Sequence, residues 1–361
     1  MDDVGTLARD DAMNSDNESR AATTESRALS SSPVLEALIQ RLSTNANTID
    51  QSGTIPREHF DALAAAGLYG AFAPSSLGGL ELTLEQMCGV IEELSAACLA
   101  TTFVWLQHFR LLAALLDPST PDALQELLPR AINGELKGGV ALGGLLPGPP
   151  RLRALPSTEG WILDGDAPWV SGWGIVDVLF VTARGPDDTV VSCIIDARAQ
   201  PGLDVTPHHL TAINATATVR LDFKHFVVEP DRFVNQVPYA PGREGPESLR
   251  GNGSLALGVA RRSCALIGST SLGEELNQRR DELDTASGDT IHLARARAAE
   301  FAARAAHLLA VTRGSSAALV GDVAERTTRE AALLLVFGSR PGIKSALLDL
   351  LYPALDDGPR A

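Results

Sequence analysis

The chain has 361 residues, a length that accommodates two or three packed units at about 100–200 residues each. Hydrophobic residues make up 45% and charged residues 21%, ordinary globular proportions that exclude a fully disordered or collagen-like chain. Thirty Lys and Arg against 45 Asp and Glu leave a net charge of −15, which repels polyphosphate backbones and anionic lipid and argues against nucleic-acid partners.

Residues 1–32 are rich in Asp, Glu, Ser, Thr and Arg and have no apolar stretch of the secretory type, so they are expected to be a disordered, dispensable tail. From 33 to 137 the pattern is helical. Thr83-Leu-Glu-Gln86 is a capping box, and Leu84, Met87, Cys88, Ile91 and Leu94 follow on one face. Thr120-Pro121-Asp122 reads as a second helix start. Gly67, Gly70, Pro74, Gly78 and Gly79 interrupt the helical reading with a tight connection. The apolar run Leu111 to Leu116 is far shorter than the roughly 18 residues of a membrane span, so none is expected.

From 138 to 245 the period changes. Trp161–Leu163, Val178–Val181, Val190–Ile195 and Val219–Phe223 are short β-type runs separated by Gly165, Gly185-Pro186 and Pro201-Gly202. With no helical pattern between them, they predict an antiparallel sheet or small barrel. From 246 to 361 helices return. Ile291, Ala294, Ala298, Phe301, Ala305 and Leu308 form a buried stripe over about 290–313, and a long helix is expected from about 316 to 337, closed by Gly338. The expected fold class is α+β: an N-terminal helical domain, a middle antiparallel β domain and a C-terminal helical bundle. Cys88, Cys98, Cys193 and Cys264 lie far apart without a Cys-x-x-Cys pair, which suits buried thiols in a reducing, cytoplasmic setting.

No dinucleotide-binding glycine motif, phosphate loop or nucleophile elbow is present. Adjacent His208 and His209 would point to opposite faces of a strand and make a poor chelate, so they are read as surface or loop residues. Several spaced segments, however, taken in order, resemble the acyl-CoA dehydrogenase family over roughly residues 34–350. They are Leu63–Gly70 with Pro74 and Gly78-Gly79; Val90-Ile-Glu-Glu93-Leu94; Trp161–Gly172; and Arg329-Glu330-Ala331 with Val336-Phe337-Gly338.

That resemblance implies FAD, an acyl-CoA or acyl-carrier thioester as partner, and a homo-oligomer, dimer or tetramer. It assigns Trp169 to the flank of the flavin, and Val170 and Ser171 to the N5/O4 edge of the ring. Neutral donors and a flat apolar wall suit a ring that gathers negative charge at N1–C2=O and receives a hydride at N5. Trp169 taken alone also reads as a core aromatic, and the glycines as turn and packing positions.

Three departures from the family stand out. Where it carries a Thr-Glu-Pro…Gly-Ser-Asp stretch, Ala141–Gly148 offers backbone amides, at Leu142 and Gly143, without the hydroxyl donor. Its Arg-x-x-x-Phe-Gly is replaced by Gln278–Glu282, where Arg279 is the candidate phosphate contact. Its late catalytic Glu has no counterpart after Phe337-Gly338, which leaves Glu247 as the candidate base, a residue whose place in a first helical turn the helix dipole also explains. Three functions stay open: α,β-dehydrogenation of a thioester, a flavin-dependent monooxygenase on the same fold, and a non-catalytic paralogue retained for assembly.

Overall fold

The computed structural model describes residues 32–240, 246–288, 290–338 and 340–352. The expected tail, up to residue 31, lies outside them.

Helices α1 (Pro33–Ser52), α2 (Arg57–Ala65), α3 (Leu84–Ala97), α4 (Leu99–Leu106), α5 (His108–Leu116), α6 (Asp122–Gln125) and α7 (Leu128–Ile132) come first. The capping box opens α3 as expected: Thr83 Oγ1 accepts from the Gln86 amide, and Gln86 accepts from the Thr83 amide at 2.8 Å. Between α2 and α3, Gly79 is fixed by packing, because a Cβ there would meet the Ala73 carbonyl oxygen at 2.1 Å. The segment Leu99–Leu116 corrects the expectation that no apolar run reaches membrane length: it spans 18 residues at a mean hydropathy of 1.4. It is 61% buried and is broken at Gln107 into α4 and α5.

The middle unit is a single eight-stranded sheet. Its strands are β1 (Gly138–Ala141), β2 (Leu152–Ser157), β3 (Gly160–Val170), β4 (Val178–Gly185), β5 (Thr189–Asp196), β6 (Leu203–Pro207), β7 (Val219–Val228) and β8 (Phe233–Pro238). The order is β6-β7-β3-β2-β4-β5-β8, with β1 also on β4. The sheet is mixed, not purely antiparallel. β1 pairs parallel to β4 from Gly138↔Val178 to Ala141↔Val181, and β2 meets β4 in parallel at Arg153↔Arg184. The crossover between β1 and β4 is made by the β2–β3 hairpin, so the strand–helix–strand pattern that normally announces parallel pairing is absent. Strand β4 is buried on both faces: Leu179 and Val181 face the main core, and Val178 and Phe180 face a second core under α5 and α7.

The bundle consists of α8 (Pro246–Ile267), α9 (Thr270–Thr285), α10 (Thr290–Arg313), α11 (Val323–Val336) and α12 (Pro341–Leu351). On α10, Ile291, Ala294, Ala298, Phe301 and Ala305 are buried as expected, but Leu309 takes the place foreseen for Leu308, which is exposed. The long helix expected from 316 is shorter. A 3-10 turn over Gly314–Ala318 precedes it, and Asp322 caps α11 by accepting from the Ala324 amide at 2.8 Å. The fold class is as expected: N-terminal helices, a central sheet and a C-terminal bundle.

Buried ion pairs join the three units. Glu92 on α3 meets Arg280 of α9 at 2.8 Å and Arg250 of α8 at 3.6 Å. Glu330 on α11 pairs with Arg262 of α8 and, at 2.9 Å, with Arg326. Burial alone would raise the Glu330 carboxyl, but the two guanidinium groups hold it below its ordinary value. Arg329 reaches Asp50 of α1 at 2.5 Å and the carbonyl of Thr211 at 2.8 Å.

Candidate active site

The end of β3 delivers Trp169, Val170 and Ser171 to the junction of the three units. Strand alternation buries Val170 completely and turns Trp169 outward, 63% exposed. Trp169 is therefore not a core aromatic. One face of its indole rests on His208, with ring centroids 4.7 Å apart, and His208 Nε2 is 2.7 Å from the carbonyl oxygen of Pro168.

Ser171 is buried, and its hydroxyl lies 2.8 Å from Thr218 Oγ1, which lies 2.8 Å from Thr216 Oγ1. The loop carrying these threonines is strained. Ile213 and Ala217, on either side of a short 3-10 turn (Asn214–Thr216), hold φ of +50° and +47°. For a β-branched residue that region is a clear outlier. The conformation is held by amide bonds from Thr216 to Ile213 O (2.9 Å), Gly172 to Thr216 O (2.7 Å) and Leu210 to Asn214 Oδ1 (2.9 Å). Arg329 adds the clamp on Thr211 from the bundle.

Contacts run onward from this edge to α8. A Cβ on Gly172 would touch Val104 of α4 at 3.2 Å, and the next-door ring of Phe103 packs edge-on against Phe337, centroids 4.8 Å apart. Gly338 in turn faces Asn252 of α8. Glu247 sits five residues before Asn252, about 7.5 Å along the helix. It is exposed in the first turn of α8, with no ion-pair partner among the described residues.

The other candidates are placed differently. Leu142 is half-buried against the second core, and Gly143 lies where a Cβ would meet Leu152 Cβ and the Asp166 carbonyl at 2.8 Å. The loop they open fills the gap on β4 between β1 and β2, and the Gly144 amide donates to Thr182 O at 2.7 Å. Arg184 donates to the Gly144 carbonyl at 3.1 Å, so the loop has a fixed seat on the sheet. Arg279 lies on α9, whose main neighbours are α8 and α10, and it pairs with Glu282 at 2.9 Å. Among the described residues its Nε is buried without an acceptor, a donor that suits an anionic oxygen. His307, the last histidine, is exposed on α10, with Nδ1 2.7 Å from the Ala303 carbonyl of its own helix and far in sequence from the β3 edge.

Thr216, Thr218 and His208 are the site residues that sequence reading missed. Nothing in a Thr-x-Thr spacing at a strand entry distinguishes them without knowledge that Ser171 lies opposite.

A sequence profile of the acyl-CoA dehydrogenase N-terminal domain matches residues 24–135. The relatives include L-evernosamine nitrososynthase of a Micromonospora species, 28% identical over 58% of this chain and 52% of that protein. Another is benzylmalonyl-CoA dehydrogenase of Aromatoleum aromaticum, 24% identical over 62% of each. Among solved structures, a glutaryl-CoA dehydrogenase from Mycobacterium smegmatis in complex with FADH2 superposes with a TM-score of 0.73 at 19% identity, covering 91% of this chain and 95% of that one. Residues 24–135 match the acyl-CoA dehydrogenase N-terminal domain, and the chain has the fold of the acyl-CoA dehydrogenases. The aligned segments span about half to three-fifths of the length of these curated relatives. Members of the superfamily are flavin oxidoreductases or oxygenases, and the relatives of this chain include dehydrogenases and a nitrososynthase.

The residues at the β3 edge fit a flavin ring: Trp169 offers an exposed flat wall and Ser171 a neutral hydroxyl. The buried Nε of Arg279 fits a phosphate oxygen.

Proposed function

We propose that this protein is a flavin-dependent oxidoreductase that binds FAD between the sheet and the bundle and oxidises an acyl-CoA or acyl-carrier thioester to its α,β-enoyl form. The observation that carries the reading is the chain of contacts from the Trp169–Ser171 edge, through Val104, Phe103 and Phe337, to the N-terminal turns of α8 with the exposed carboxylate of Glu247. The flavin supplies a two-electron acceptor. Trp169 shields one side of the ring, the Val170 and Ser171 backbone and the Ser171 hydroxyl hold its N5/O4 edge, the amides of Leu142 and Gly143 serve its pyrimidine side, and Arg279 serves the phosphates. Glu247 takes the α proton of the thioester. The four cysteines, free and buried, agree with a cytoplasmic setting. A homo-oligomer also goes with this reading.

A second reading, an oxygen-using flavin reaction, is favoured by the nitrososynthase relative. Anaerobic addition of acyl-CoA to the FAD-loaded protein separates the two. Bleaching of the flavin band without oxygen supports dehydrogenation. Turnover seen solely with a flavin reductase and oxygen overturns it in favour of the second reading.

Glu247→Gln isolates the base. A positioned general base contributes about 10²–10⁴-fold to rate, so single-turnover bleaching is expected to slow by that order with FAD still bound. Undiminished bleaching removes Glu247 from the reaction.

A further inference from the structure

Trp169 stands outside the sheet because β3 bulges there. Ala167 pairs with Leu221 of β7 and Val170 with Val219, so Pro168 and Trp169 together face the single residue Arg220. Two residues opposite one form a β-bulge, which bends the strand and re-aims a side chain. An indole turned outward in this way, at 63% exposure, lacks the neighbours that fix side chains in a core, and it can turn about both of its torsions.

His208 takes the place of those neighbours. It directly follows β6, and its amide donates to the Thr218 carbonyl at 2.9 Å. β7 lies between β6 and β3, so the His208 ring reaches across one strand to the bulge. There it meets two consecutive residues. Its Nε2 lies 2.7 Å from the Pro168 carbonyl oxygen, and the ring rests on the indole with planes tilted by 37°. A carbonyl oxygen only accepts, so Nε2 carries the hydrogen and donates it. The first contact pins the imidazole to the backbone just before Trp169. The second gives the indole a fixed floor and leaves most of it open.

We infer that His208 is a positioning residue that holds the Trp169 indole in one orientation before any ligand arrives, so that a flavin meets a wall already set. The inference rests on the flavin reading above, and His208 acts through Trp169 without touching the flavin. A side chain that has to be immobilised on binding costs affinity, and here the fold has done that ordering beforehand. His208→Ala returns the cost to the binding step and is expected to weaken FAD binding about two- to tenfold.

Two measurements on the full chain test this. The first needs no flavin: fluorine NMR of the FAD-free protein labelled with fluorotryptophan, where the Trp169 signal is the one lost in Trp169→Phe. In the natural chain that signal should be broad and displaced from the position of free fluorotryptophan. In His208→Ala it should narrow and move to that position. His208→Gln keeps a donor but has no ring face and should do the same, so it serves if the alanine variant folds poorly. The second measurement is the dissociation constant of oxidised FAD by calorimetry. His208→Ala is expected to cost its two- to tenfold when Trp169 is present and nothing further in Trp169→Ala. A Trp169 signal unchanged in both His208 variants, or FAD affinity unchanged in them, overturns the inference and leaves the flavin reading standing. So does an equal loss of affinity with and without Trp169, which would mean that His208 touches FAD directly. A natural chain that binds no FAD overturns the flavin reading, and the inference with it.

Discussion

Trp169 and His108 show how differently two aromatic residues act in this fold. The Trp169 indole is 63% exposed and leans on His208, so Trp169→Ala removes a stacking contact and little burial. A loss of about 1 kcal/mol or less is expected in urea denaturation, against about 3–5 kcal/mol for a buried tryptophan. FAD content, read from the absorbance of the purified variant, should fall sharply with that small change in stability. Full occupancy would leave Trp169 without a place in the site. His108 is buried between α5 and β1, and the Gly138 N–H donates to its Nδ1 at 3.0 Å, which puts the ring proton on Nε2. Burial pushes its pKa down to about 3, from 6.5 in the unfolded chain. A lowered folded-state pKa means that the unfolded chain binds the extra proton first. The contribution is therefore complete above pH 6.5 and is lost as pH falls toward 3, at about 1.4 kcal/mol per unit. His108→Asn keeps an acceptor for Gly138 without the titration, so its stability should fall less steeply between pH 6 and 4 in urea titrations at stepped pH. Identical slopes in the two proteins would refute the assignment.

At the scale of elements, the segments through which the sequence resembles the acyl-CoA dehydrogenases turn out to hold the units together. Glu92 and Glu93 lie in the helix α3 segment, and both pair with arginines of the bundle: Glu92 with Arg250 and Arg280, and Glu93 with Arg261 at 2.5 Å. Arg329 and Glu330 tie α11 to α1, α8 and the loop after β6. None of these partners was legible in the sequence, because Arg329 lies 279 residues from Asp50 and 118 from Thr211. The helix cap at Thr83 was legible, since a capping box is a local signal four residues long. Glu330→Gln leaves Arg262 and Arg326 buried against a neutral amide, and removing one member of such a pair costs about 3–5 kcal/mol. Urea denaturation should show that loss, with the fold retained in far-UV circular dichroism. A change under about 1 kcal/mol would mean that the network is solvated and contributes little.

For the whole molecule, the division into helices, sheet and bundle was readable because the hydrophobic period switches twice along the chain. The parallel pairing of β1 with β4 was not, because a hairpin replaces the helix that normally marks the crossover. Half of the candidate site was readable: the β3 edge stood out through its order Trp-Val-Ser, while Thr218 opposite it meets Ser171 across 47 residues. One surface property belongs to the chain as a whole. Leu308 and Val311 on α10, and Leu319 and Val320 just past the 3-10 turn that packs back on that helix, are large apolar residues left in solvent, Val320 at 81% exposure. Apolar residues gathered in this way suit a contact surface, and a second copy of the chain is the occupant that fits the proposed homo-oligomer. Multi-angle light scattering at micromolar concentration should give the mass of a dimer or tetramer for the natural chain. Val311→Asp with Val320→Asp places two carboxylates in that contact, where each must be buried unpaired, so the assembly should dissociate while far-UV circular dichroism is unchanged. A natural chain with the mass of one protomer, or an assembly indifferent to both aspartates, would show that this ridge joins no second copy.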